Sequence, residues 1–358
     1  MKSLNNNSFS DSHFYVGVDT HLKNWKVTTR LSGIELKTLS MNPSPDELVK
    51  YLRKNYPGGN YHIVYEAGFC GFWAARKFKD LGVDCIIVNP ADVPTTNKEK
   101  VNKCDPVDSR KLARELENKN LKANYIPNIF QEELRSLMRL RYRIVQSQTR
   151  TKNRIKSLVY TRGIKIPDEF NGNSRWSAPF IKWLEKEVKF NTTAGSYCFL
   201  NIISQLKEMR EQNKNILRQL KEESKKKEIA PVIKALESVP GIGFITAMSL
   251  YTEIIDIKRF SNENQMNAFV GLVPSTRSSD ETIYGNKITH RQNKYLRPLM
   301  IEAAWQAVRK DPAMTAKYKD LTKRMKPQDA IVRIAKKLLR RVRHVWLRRE
   351  EYAYALVA

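Results

Sequence analysis

The sequence offers little with which to crosslink the chain, ligate a soft metal or anchor it in a membrane. Its four cysteines, Cys70, Cys85, Cys104 and Cys198, have no CxxC spacing and its five histidines are scattered, so neither a disulfide framework nor a zinc site is supported. The polar start MKSLNNNSFSDS offers neither an apolar leader nor a lipidation signal, and no basic amphipathic membrane helix stands out; the expectation is a cytoplasmic protein with no membrane partner. Acids are also scarce. There are 37 against 64 lysines and arginines, a net charge of +27, which points to a partner with a phosphate backbone and makes nucleic acid the leading class. The 358 residues suffice for two or three domains, each with its own core.

What is present begins with FYVGVDTHLKNWKV, an apolar run closed by an acid, Asp19, and followed after a polar turn by a second β-prone run. Residues 14–18 and 25–30 read as adjacent strands, and 34–39 adds a third. The SPDE tetrad at 44–47 supplies an N-cap serine, a proline at N1 and a glutamate at N3, announcing a helix that ends at the Pro-Gly-Gly of 57–59. A strand over 61–66, a helix over 71–82, a strand over 85–88 and a helix from Asp105 follow. Three strands, helix, strand, helix, strand, helix is the order of the ribonuclease H type of nuclease fold. It predicts that Asp19, Glu66 and the pair Asp105 and Asp108 converge at one end of the sheet, since residues three apart share a helix face. Four carboxylates so close together need a cation, and all-oxygen ligation suits Mg²⁺ or Mn²⁺. Each acid also has a plainer reading: Asp105 and Asp108 suit a helix start, and Asp19 and Glu66 could simply face water at strand ends.

Residues 131–160 carry apolar positions at near-heptad spacing among many arginines, including Arg139, Arg143, Arg150 and Arg154. The helix fits either a bundle with solvated charges or a coiled coil that dimerises and contacts phosphates. A loop over 163–179 precedes more helix over 202–227, and 167–201 reads as an insertion. From Ala235, helix, PGIG and helix fit either a helix-hairpin-helix element that brings backbone N–H groups to a phosphate or a tight packing turn. Residues 275–291 read as a hydroxyl-rich loop or hairpin before a helix, with Ser278 and Ser279 beside Arg277. A last helix from Asp329 carries Arg340 and Arg341 among its cations, which fit either phosphate contacts to guide RNA or DNA or a soluble basic helix over a buried Ile331, Ile334, Leu338 stripe.

These residues resemble the DEDD transposases of the insertion sequence 110 family, which include Piv-type DNA invertases. GVDTHLK, YEAG and KVNKCDPVDSRKLA match the blocks of its first domain, and SVPGIGFITA, AFVGLVPS, SSD, GNKIT and NKYLR match its second. The resemblance implies a RuvC-like α/β domain over 12–125 with the metal tetrad Asp19, Glu66, Asp105 and Asp108. It implies a helical coiled-coil linker over 126–230 and a mainly α transposase domain over 231–358 in which Ser279, with Ser278 as second choice, attacks DNA. Asp280 stands where the family usually has glycine, and Cys104 where it has threonine. Arg277, Lys287 and Arg291 flank the hydroxyl-rich loop and could help place the reacting phosphate, and Arg297 is a further candidate nucleic-acid contact. The expected function is metal-dependent, serine-type excision and insertion of the element's own DNA, guided by a structured noncoding RNA, in dimers that assemble to tetramers at the nucleoid. Two readings from other classes compete with it: a RuvC-like structure-selective nuclease, which needs only the carboxylates, and a non-enzymatic RNA- or DNA-binding protein, which needs only the basic helices.

Overall fold

In the computed structural model, which describes residues 9–95, 105–274, 278–279, 282–283 and 288–354, the chain divides between Pro127 and Asn128 into two units. The first is built on strands β1 (His13–Thr20), β2 (Trp25–Leu31), β3 (Ile34–Met41), β4 (Asn60–Glu66) and β5 (Asp84–Val88), in spatial order β3-β2-β1-β4-β5. β1, β2 and β3 pair antiparallel through short turns; Ser32 and Gly33, both with positive φ (48° and 81°), make the sharp reversal between β2 and β3. β4 lies parallel to β1 and to β5, which demands crossovers. These are the helices α1 (Pro45–Asn55) and α2 (Trp73–Asp80). The Ser44 side chain accepts the Glu47 N–H and Pro45 opens the helix, as the SPDE pattern predicts. Helix α2 starts two residues later than expected because Gly71, at φ +59°, still belongs to the turn.

Alternation along the strands sorts side chains between two faces. Val16, Val18, Val27, Ile63 and Tyr65 pack with Leu48, Leu52 and Phe78 of α1 and α2. The opposite face is covered by α3 (Asp105–Glu117), whose Leu112 packs with Val64 and Val88. The helix approaches so closely that a Cβ on Gly17 would lie 2.1 Å from the Ser109 carbonyl oxygen and 2.5 Å from the Ala113 nitrogen. A buried hydrogen bond between the Thr28 and Ser109 hydroxyls (2.9 Å) and the pair Arg30–Glu117 (2.7 Å) fix it there.

The second unit is mainly helical. α4 (Ile129–Thr161) begins with a full capping box between Asn128 and Gln131. It runs antiparallel to α6 (Thr193–Ser224): Leu134 and Met138 share a core with Ile216 and Leu220, Gln148 donates to the Met209 carbonyl, and Ile155 and Val159 pack with Phe199, Ile202 and Ile203. The near-heptad seam of α4 thus packs within the chain, with Leu134, Gln148 and Ile155 buried and Leu137, Ile144 and Leu158 partly so. The stretch over 167–201, expected as an insertion, contains α5 (Ala178–Lys186) and the first turns of α6, and its Phe170, Phe180 and Leu184 cover the end of that helical pair.

Beyond these lie α7 (Ala230–Glu237), α8 (Phe244–Ile254), α9 (Glu263–Val270), a two-stranded ribbon of β6 (Ser278–Ser279) and β7 (Thr282–Ile283), and then α10 (Leu296–Lys310), α11 (Pro312–Thr322) and α12 (Pro327–Arg348). Leu134, Met138, Ile216 and Leu220 belong to the same apolar core as these helices. In the PGIG turn, Gly241 has φ +90° and a Cβ there would meet the Ala303 carbonyl at 2.3 Å, so the packing-turn reading accounts for that glycine. Among the described residues no helix is long and apolar enough to cross a membrane.

Candidate active site

The site is best built from Gly17 outward. Asp19 lies two residues beyond it on the same strand face, the face that α3 covers. Glu66 lies two residues beyond Val64, which packs on Leu112 of that helix, so Glu66 belongs to the same face at the end of the neighbouring parallel strand. The register pairs Val18 with Tyr65, which brings Asp19 and Glu66 to matching positions. Asp105 opens α3 and Asp108 follows one turn later. Strand register and one helix contact thus put Asp19 and Glu66 at the C-terminal ends of β1 and β4 on the face that α3 covers.

Asp19, Glu66 and Asp108 are partly exposed, at 22%, 32% and 22% of their side chains. His21 Nδ1 lies 3.6 Å from Asp19 Oδ2. Lys111, which sequence reasoning missed, stands inside the cluster: its Nζ is 3.0 Å from Asp108 Oδ1 and 3.8 Å from Glu66 Oε1. The signal was available in its spacing, since Lys111 follows Asp108 by three residues on one helix. An all-carboxylate donor set has the chemistry a hard divalent cation prefers. Among the described residues, however, no group of three or more His, Cys, Asp or Glu side chains is arranged to hold a metal ion. Between Glu66 and Asp108 the neutralising charge is an ammonium.

In the second unit, Ser278 and Ser279 form β6, paired with Ile283 and Thr282. Arg277 and Lys287 lie outside the described residues, as does Cys104. The approach to the ribbon is well held: Pro274 bridges Ile288, the Thr289 N–H donates to the Val273 carbonyl, and Arg297 donates to the Gly271 and Thr289 carbonyls. Arg297 is thereby part of the support, while Arg291 is exposed.

The other candidate cations divide by environment. Arg139 makes a two-pronged ion pair with buried Glu253 (2.6 and 2.8 Å), which also accepts from Asn293, and its guanidinium lies over the Tyr295 ring. Arg341 pairs with buried Asp311, which also caps α11 and accepts from the Tyr352 hydroxyl. Both arginines have structural partners. Arg143, Arg150 and Arg154 are exposed on α4, and Arg340 is exposed beside Glu263 at 2.9 Å. Burial pushes the Cys70 and Cys85 thiols up from their ordinary value, so both stay protonated and unreactive at neutral pH.

Comparison with known proteins links the two units. A family model described as transposase, of the DEDD type of IS110, matches residues 16–161, and another described as the transposase IS116/IS110/IS902 family matches residues 233–319. A Sinorhizobium fredii protein bearing the name transposase y4qE is 29% identical over 244 residues, 68% of this chain and 58% of that protein. The transposase for insertion sequence element IS1533 of Leptospira borgpetersenii is 25% identical over 301 residues, covering 82% and 84% of the two chains. The transposase for insertion sequence element IS1111A of Coxiella burnetii is 28% identical over 245 residues, 68% of this chain and 64% of that one.

Proposed function

The chain belongs to the IS116/IS110/IS902 family of transposases, and from that premise we propose that it cuts and rejoins DNA to excise and insert a mobile element. The observation that carries the reading is that Asp19 and Glu66 end adjacent parallel strands on the face covered by the helix that bears Asp105 and Asp108. The strand order β3-β2-β1-β4-β5 supports an RNase H-like, RuvC-like reading of residues 12–125. In this reading 126–230 is a helical linker and 231–358 a transposase domain.

Asp19, Glu66, Asp105 and Asp108 would hold Mg²⁺ or Mn²⁺, which when bound supplies Lewis-acid stabilisation of charge on a phosphodiester. The Ser279 hydroxyl, carried by the ribbon, attacks phosphorus and displaces a sugar hydroxyl, leaving a phosphoserine ester. The hydroxyl of a second strand then displaces the serine. One ester replaces another at each step, so no nucleotide hydrolysis is needed. Arg291 flanks the ribbon, and the exposed arginines of α4 and α12 contact the phosphates of donor DNA, target DNA and a structured guide RNA. The acting species is a homodimer that assembles to a tetramer.

Adduct trapping on labelled DNA tests the reading. Ser279→Ala should still bind nucleic acid yet form no covalent protein–DNA intermediate, whereas Asp19→Ala should bind and fail to cut. Recombination by Ser278→Ala, Ser279→Ala and the double variant alike would remove serine chemistry and leave the metal-only nuclease. Full function after loss of all four acids would leave only a binding protein.

A further inference from the structure

Lys111 is only 8% exposed, and its ammonium lies 3.0 Å from Asp108 and 3.8 Å from Glu66. A buried ammonium is tolerated only where carboxylates compensate it, and two carboxylates this close need a cation in turn. Both partners are acids that the proposed function assigns to a divalent ion. The lysine therefore stands between two of the intended ligands, and it comes from the same rigid helix as Asp108, so it cannot drift away from them.

We propose that Lys111 is a positioning residue that acts as the resident counter-cation of the carboxylate cluster, holding Glu66 and Asp108 together and yielding Glu66 when a divalent ion binds. This rests on the metal reading of the site. An arriving ion must compete with the ammonium for Glu66, and afterwards the ammonium remains close to the ion and repels it. Both effects hold the affinity for free metal low. Once Glu66 is released, the ammonium is available to a phosphate oxygen, so nucleic acid offers Lys111 the partner that the ion takes away.

The test is titration of the full chain with Mn²⁺ in the absence of nucleic acid, with free ion read by electron paramagnetic resonance. Lys111→Met keeps the length of the buried side chain and removes the charge; it should bind Mn²⁺ at least about tenfold more tightly than the wild type, since a like charge beside the carboxylates is lost. Lys111→Arg keeps the charge and should bind no more tightly than the wild type. Thermal melting without metal should show Lys111→Met destabilised and rescued by Mn²⁺ to a greater degree than the wild type.

Unchanged or weaker Mn²⁺ binding by Lys111→Met, or tighter binding by Lys111→Arg, would overturn the proposal while the metal reading stands, provided Asp19→Ala still abolishes binding. If Asp19→Ala leaves Mn²⁺ binding intact, the metal reading fails and the role of Lys111 fails with it.

Discussion

A methyl group on Gly17 would strike two backbone atoms of α3, the Ser109 carbonyl and the Ala113 amide. Backbone cannot rotate out of the way as a side chain can, so Gly17→Ala must lift the helix from β1. The expected cost is about 1–3 kcal/mol, read as a lower melting temperature, with a larger loss of strand cleavage because Asp108 rides on that helix. A melting temperature equal to the wild type would show that the close approach is not needed. At the far end of the same strands, His62 lies between His13 (2.9 Å) and Asp84 (3.7 Å). Burial, followed by His13, holds the His62 imidazole below its ordinary value, with Asp84 partly opposing. In the window between that lowered value and the ordinary one near 6.5, the unfolded chain binds the proton more readily than the folded one. Stability should therefore be full above this window and fall as the pH drops through it. Melting curves from pH 7.5 to 5 should show less of that fall in His62→Gln.

At the scale of elements, the cations of the long helices separate into structural and solvent-facing groups. Arg341 meets buried Asp311 from a neighbouring helix, and Asp311 also caps α11. Removing one partner of such a pair strands the other charge, so Asp311→Ala should lower stability by about 3–5 kcal/mol, and Arg341→Gln should shift melting without changing the salt dependence of nucleic-acid binding. A reduced salt slope in Arg341→Gln would return that residue to phosphate contact. Arg143, Arg150 and Arg154 behave in the opposite way. Their spacing of seven and four residues aligns them on one exposed stripe of α4. Replacing all three by glutamine should reduce the slope of log K against log salt by about 2 to 3 if each touches a phosphate, with melting unchanged. An unaltered slope would assign the stripe to solvation alone.

Over the whole molecule, a charge of +27 makes affinity for any polyanion certain to depend on salt, and therefore weak as a sign of a specific partner. The guide-RNA reading makes a sharper demand. The full chain purified at moderate salt should retain one structured RNA species, identified by sequencing the co-purifying nucleic acid after nuclease protection. A random sample of cellular RNA, lost on raising the salt, would reduce the interaction to charge.

Much of the first unit is legible in the amino-acid sequence because its signals are local. Alternation marks the strands, SPDE marks a helix start through bonds that close within four residues, and the order of elements restricts the sheet to one family of topologies. The placement of Asp19 and Glu66 at the ends of neighbouring parallel strands follows from the same local pattern. What only the tertiary structure decides are the pairings between distant residues: Lys111 with Glu66, Arg139 with Glu253, Arg341 with Asp311, and the α4 seam with α6. The cations and apolar residues in these pairings look alike in a one-dimensional pattern. Whether an arginine faces a phosphate or a buried carboxylate depends on which element packs beside it, and that depends on burial of the apolar faces of the whole unit.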